Sequence, residues 1–176
     1  GTMMDVAIGY GENQDMPGVV RRYSGEMPFV PCAAPSYIQR NGMPIIPDDC
    51  RKHTGVLILS PTRSATQTLE NAGRSVALEW KNAILLHNLI SVKSALLLGA
   101  GVVPDMSLFH CAKEIEDKTV NPVLPGWHRK QLSCFIFARE ESFEKKRVKV
   151  FVDWLAEREH RFMQRLKNQF PQFYGS

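Results

Sequence analysis

No apolar run in this chain approaches the roughly 20 residues needed to span a bilayer, so a transmembrane helix is excluded. Cysteine is sparse. Cys32, Cys50, Cys111 and Cys134 are far apart, with no C-x-x-C pair and no histidine at metal-ligand spacing. That excludes a zinc ribbon or a disulfide scaffold, and the four thiols are expected to be free and mostly buried, as in a reducing cytosol. An excess of one charge is also missing: 22 Lys and Arg against 18 Asp and Glu leave a net charge of +4. This falls far short of the dense basic stripe of a nucleic-acid-binding surface.

The opening residues, Gly1-Thr2-Met3-Met4, lack the charged and apolar regions of a secretory signal, and Gly1-Thr2-Met3 reads as a cloning remnant. The expectation is a cytoplasmic protein with no membrane contact. The histidines, at 53, 87, 110, 128 and 160, are scattered. No Ser/His/Asp set, carboxylate pair or metal cluster has a supporting local motif. No catalytic residue, metal ligand or cofactor is therefore expected.

What is present suits one domain, or two small lobes sharing a core: 176 residues, 44% of them hydrophobic and 9% aromatic. Short strands are expected at Asp5–Ile8 and Val19–Tyr23, with a turn at Ser24-Gly25-Glu26 and a further strand from Met27 to Ala33. Pro35 suits the first turn of a helix over Ser36–Arg40, which Asn41-Gly42 stops. A second short helix starts at Pro47-Asp48-Asp49, its acidic residues at the positive end. Val56–Leu59 is an apolar strand, Ser60–Ser75 a loop or weak hairpin, and Val76–Trp80 and Ala83–Leu86 are strand candidates.

The stretch "SALLLGAGVVPDM" looks at first like the opening of a nucleotide loop. A dinucleotide fingerprint needs strand, glycine loop and helix in that order, so that phosphate meets a helix N-terminus. Here a helix capped by Ser91 and running through Leu98 precedes the glycines, and Pro104 occupies the third glycine position. Gly99 is expected to cap the helix and Gly101 to make a close turn into the strand Val102-Val103. The chain continues with Pro104–Ser107 as loop and cap, a helix over Leu108–Glu116, and strands at Val120–Leu124 and Leu132–Phe137. A long helix follows from Phe143, capped by Ser142, with Val148, Phe151, Val152 and Leu155 as its docking stripe.

Strands alternating with helices imply an α/β fold with mostly parallel sheets. Such folds hold ligands outside the carboxyl ends of their strands. The loops there contain Gly9-Tyr10-Gly11, Ala33-Ala34, Ser60-Pro61-Thr62 and His87-Asn88. Tyr10, Gly11, Ser60, Thr62, Asn88 and Ile90 are accordingly the candidate ligand contacts.

The segment "MMDVAIGYGENQDMPGVVRRYSGEMPFVPCAAPSYIQRNGMPIIPDDCRKH" resembles the effector-binding domain of LysR-type transcriptional regulators. The family's D-x-A-I-R-x-G strand corresponds to Asp5–Gly11, its S-P-x-Y to Ala34–Tyr37, and its G-x-P-x-x-P-x-D-L-x-x-H to Gly42–His53. "SVKSALLLGAGVVPDM", "VNPVLPGW" and "KVFVDWLAE" extend the resemblance over about Met4 to Glu157. Gly9 stands where the family usually has arginine, and Ala34 where it commonly has serine.

The resemblance implies a periplasmic-binding-protein type II-like fold of two lobes joined by crossing strands. Residues 4–27 and 130–166 would form an incomplete lobe I, 28–129 lobe II and 167–176 a tail. It also implies a small-molecule effector held between the lobes, self-association into a dimer or higher oligomer, and DNA contact only through a helix-turn-helix absent from this chain. An exposed apolar edge on lobe I is expected to be covered by a second copy. A transport solute-binding protein and an α/β enzyme are the rival readings.

Overall fold

In a computed structural model of the chain, residues 6–11, 16–61 and 63–175 are described. Two compact units emerge, one from the chain up to Met27 and from Gln131 onward, the other from Pro28 to Lys130. The first unit begins with β1 (Val6–Gly11) and β2 (Val19–Met27). Pro28, which has no N–H for a ladder, ends β2, so the expected Met27–Ala33 strand is split there and resumes as β3 (Phe29–Ala33) in the second unit.

The second unit continues with α1 (Pro35–Asn41), a 3-10 turn at Pro47–Lys52, β4 (Thr54–Ile58), β5 (Thr68–Asn71), β6 (Arg74–Ala77) and β7 (Asn82–Leu86). It is completed by α2 (Leu89–Leu97), β8 (Val103–Ser107), α3 (Leu108–Glu116) and β9 (Asn121–Pro122). Strand β3 pairs with β8 on one side and β9 on the other, both antiparallel. β4 and β7 pair in parallel, and a parallel bridge joins Gly55 to Val102. β5 and β6 form a hairpin that begins in the Ser60–Ser75 segment expected to be loop or weak hairpin and ends at Ala77, within the Val76–Trp80 strand candidate.

Returning to the first unit, β10 (Leu132–Arg139) lies between β1 and β2, antiparallel to both, followed by α4 (Glu140–Phe143) and α5 (Lys146–Gln169). The expectation of mostly parallel sheets is thus corrected: among the described strands only β4 and β7 form a parallel ladder. Alternation of strands and helices reports their order, while pairing direction depends on which strands a crossover brings together. Parallel neighbours need a long crossover, and the hairpin β5–β6 provides it between β4 and β7.

The turn expected at Ser24-Gly25-Glu26 is instead a bulge within β2. The register passes from Gly25↔Cys134 to Tyr23↔Phe135 and leaves Ser24 over. Its buried hydroxyl donates to the Cys134 carbonyl at 3.1 Å, which satisfies the extra residue without breaking the strand.

Helix α5 buries Val148, Val152, Met163 and Leu166, the first two packing on Ile136 and Ala138 of β10. Each such burial contributes about 1.5–3 kcal/mol. Phe151, expected in the docking stripe, is 47% exposed and stacks on Trp154 with ring centroids 5.9 Å apart. Ser142 does not cap α5 either: it is buried within α4, and Lys145 occupies the cap position.

The core of the second unit gathers Ala33, Tyr37, Cys50, Leu69, Val102, Val123, Leu124 and Trp127. All four cysteines are free and buried. Burial pushes the Cys50 and Cys134 thiols up to about 12, so they act as small apolar groups. Among the described residues, no helix is long and apolar enough to cross a membrane.

Candidate functional site

The parallel ladder fixes the first piece of the site. Ile58 lies beside Leu86 at the carboxyl ends of β4 and β7. The ladder runs one step further, with Leu59 N donating to the Leu86 carbonyl at 2.9 Å and His87 Nδ1 lying 3.1 Å from the Leu59 carbonyl. The chain after β4 and the chain after β7 therefore leave the sheet side by side. Ser60 and Asn88, two of the candidate contacts, belong to these adjacent exits.

Asn88 has a structural task there. Its Oδ1 accepts from Ser91 N at 2.8 Å and caps α2, a role the sequence pattern assigns to Ser91. Ile90, in the first turn of α2, is 81% exposed. Thr62 lies outside the described residues. In the first unit, Tyr10 sits within β1 opposite Cys134, half exposed, and Gly11 is the last residue of that strand. Burial first, then the neighbouring Cys134 and Glu159, raises the Tyr10 phenol, which therefore stays a neutral donor.

Immediately after Ser60 the backbone closes on itself. Ser60 N donates to the Arg63 carbonyl at 2.9 Å, and Arg63 N returns to the Ser60 carbonyl at 3.2 Å. This turn directs Arg63 inward. Its Nη2 donates to Asp105 Oδ2 at 2.7 Å, and Thr66 Oγ1 donates to the same oxygen at 2.6 Å. Asp105 is 4% exposed, so the carboxylate is held in a buried setting by one cation and one hydroxyl.

A second fixed point lies across the β5 hairpin. Glu70 N donates to the His128 carbonyl at 2.8 Å and His128 N to the Glu70 carbonyl at 3.1 Å. This pair places Arg129 next to the strand's leading loop. The Arg129 guanidinium carbon sits 4.3 Å from the centre of the Phe29 ring, while Arg63 approaches the same ring at 5.5 Å. Two cations thus share one aromatic ring. Burial, and secondarily the Arg63 charge, lowers the Arg129 pKa, with Asp105 opposing. Beside them is a groove of about 240 Å³ whose walls include Ser64, Thr66, Gln67, Thr68, Arg129 and Lys130. Sequence reasoning missed Arg129 and the Arg63–Asp105–Thr66 set. Arg63 and Asp105 are 42 positions apart, and no spacing rule joins them.

Elsewhere, the glycine stretch behaves as its order requires. Gly99 has φ +74° just after α2, the left-handed conformation of a helix-ending glycine. A side chain on Gly101 would run into the Thr54 carbonyl of β4. At Gly9, where the related pattern has arginine, the Phe137 ring fills the side-chain space: an added Cβ would lie 2.5 Å from it. Ala34 precedes α1 with no side-chain cap, since alanine has no oxygen to accept from the first turn.

Polar residues at adjoining strand exits of an α/β architecture stand where such folds hold small ligands. The chain matches the LysR substrate binding domain over residues 2–159 and belongs to that family. It is 24% identical over 142 residues to YhjC of Escherichia coli K12, described as an uncharacterized HTH-type transcriptional regulator. That similarity covers 79% of this chain and 47% of YhjC, so the chain spans about half the length of this relative.

Among solved structures, the regulatory domain of CrgA, a LysR-type transcriptional regulator from Neisseria meningitidis, superposes with a TM-score of 0.71 at 20% identity. The match covers 88% of this chain and 74% of that one. The regulatory domain of AphB from Vibrio vulnificus gives 0.68 at 22% identity, covering 85% and 73%. These likenesses establish the type II periplasmic-binding-protein-like fold. YhjC and CrgA are both described as transcriptional regulators.

Proposed function

We propose that this chain is the effector-sensing part of a LysR-type transcriptional regulator. It binds a small molecule, and the intact protein converts that binding into altered contact with DNA. In this reading a helix-turn-helix segment outside these residues makes the DNA contact, and the regulator works as a self-associated assembly in the cytoplasm. The observation that carries the reading is the family match across residues 2–159. It favours regulation over the transport and enzyme alternatives.

Ser60, Thr62, Asn88 and Ile90 in the second unit, and Tyr10 and Gly11 in the first, are the proposed effector contacts. Their hydroxyls, amide and apolar surface suit a small polar ligand. Chromatin immunoprecipitation of the intact protein in its native host tests the reading. Enrichment of a few intervals upstream of genes is expected, and a profile indistinguishable from an untagged control overturns it. At a bound promoter, Ser60→Tyr should leave occupancy intact and abolish the response to growth conditions. An unchanged response would remove Ser60 from the contact set.

A further inference from the structure

We propose that the groove walled by residues 64–68 and Arg129 is a subsite for a carboxylate, so that the effector is a small organic monoanion. This rests on the effector-sensing reading and names the class of ligand. The first observation is an uncompensated charge. Asp105 already pairs with Arg63, whereas Arg129 has no ion pair or side-chain hydrogen bond among the described residues. It is held partly out of water over the Phe29 ring, facing the like charge of Arg63. Desolvation and like-charge repulsion both penalise an arginine so placed, and an entering anion relieves both.

The second observation is the chemistry of the walls. Ser64, Thr68 and Gln67 present neutral hydroxyl and amide groups, able to receive the polar remainder of a ligand. The groove also contains Lys130 and Glu70, whose opposite charges cancel, and the Arg63–Asp105 pair is neutral as a unit. One positive charge is left, that of Arg129. It matches a monoanion, whereas a phosphate dianion would leave a negative charge over. The planar guanidinium fork favours a carboxylate, which it can bind through two parallel hydrogen bonds. A volume of about 240 Å³ accommodates a small acid.

Acetate serves as the probe, titrated into the whole chain at constant ionic strength, with acetamide and inorganic phosphate as comparison ligands. Nitrogen–proton correlation spectra follow the Arg129 Nε–H and the amides of residues 64–70. Saturable shifts confined to these groups are expected with acetate, and none with acetamide. Arg129→Met should weaken acetate at least about tenfold, with an unchanged melting transition showing that the fold survives. Glu70→Gln, which removes a negative charge from the wall, should tighten it roughly two- to fivefold.

Non-saturating shifts, equal shifts with acetamide, or an affinity indifferent to both substitutions would overturn the subsite. Phosphate binding here more tightly than acetate would overturn its carboxylate class. Should Arg129→Met unfold, Glu70→Gln alone decides between the outcomes. Promoter occupancy is independent of these readouts, so the subsite can fail while the regulator reading stands, and the reverse.

Discussion

At the scale of single residues, buried polar groups are what this sequence spends most care on. Tyr37 Oη lies 2.8 Å from His53 Nδ1 and accepts from Thr54 N at 3.1 Å. With Thr54 already donating, the tyrosine proton points to the histidine, which accepts it as a neutral ring. Burial is the main cause lowering the His53 pKa below 6.5; Asp49 raises it and Lys52 lowers it further. The unfolded chain therefore binds the proton first as pH falls. The contribution to stability is complete above about 6.5 and is lost as pH drops through the lower folded value. His110 is shifted in the same direction, so the comparison must isolate His53. Urea midpoints at pH 7.5 and 5.5 should fall less in His53→Gln than in the unsubstituted chain; identical pH dependence would contradict this account. Gly101 makes a second residue-scale prediction. A methyl group there meets the rigid Thr54 backbone, so Gly101→Ala should cost about 1–3 kcal/mol in a urea titration, by the overpacking mechanism.

Among the elements, α2 shows how one residue can carry structure beside a candidate site. Its first turn depends on Asn88 Oδ1, and its C-terminal end on Gly99. Asn88→Ala should cost about 1 kcal/mol, while Asn88→Asp keeps an accepting oxygen at the cap and should be nearly neutral. Circular-dichroism melts of the two variants test this. Equal losses in both would show that the amide nitrogen, and not the cap oxygen, matters. Of the elements themselves, the apolar strands and α3 are legible as pattern, with Ser107 Oγ accepting from Phe109 N at 3.2 Å as its cap. The β5–β6 hairpin is legible only in outline, as a weak hairpin and a strand candidate from Val76, because its strands hold only Leu69 fully buried and no alternation fixes their ends.

For the molecule as a whole, the prediction concerns association. Among the described residues of the first unit, β1 and β2 are the outer strands of the sheet, and Ile8, Tyr10 and Tyr23 are each close to half exposed. Helix α5 adds Val150, Phe151 and Trp154 to the apolar surface of that unit. Exposed apolar surface beside open strand edges favours coverage by another chain. Sedimentation equilibrium at about 100 μM, well above the range of ordinary dimer affinities, should therefore show a species heavier than the monomer. A single monomeric species, with the amides of β1 and β2 protected from exchange, would show that these edges need no partner.

What the sequence determined by itself is local and ordered along the chain. Continuous apolar runs placed β3, β4 and β10, and a period-3.6 pattern placed α3, close to their observed positions, because these strands are buried on both faces and the helix on one. The order helix, glycine, strand excluded a nucleotide loop at Gly99-Ala100-Gly101, since the dipole end of a helix must face the phosphate. The succession of motifs from Asp5 to His53 pointed to the family, because each motif is a backbone requirement: a strand exit, a Pro-led helix, a turn ending in a buried histidine.

Tertiary structure alone decided the pairing directions, because direction depends on which distant strands meet and leaves no trace in periodicity. It decided as well that Asn88 caps and Phe151 faces outward, since helix phase is set by the surface the helix docks on. Above all it assembled Phe29, Arg63, Asp105 and Arg129 around one ring. Charged side chains so far apart in sequence carry no mark of one another. Their interaction exists only because β3, β8, the Ser60–Arg63 turn and the Glu70–His128 bridge converge.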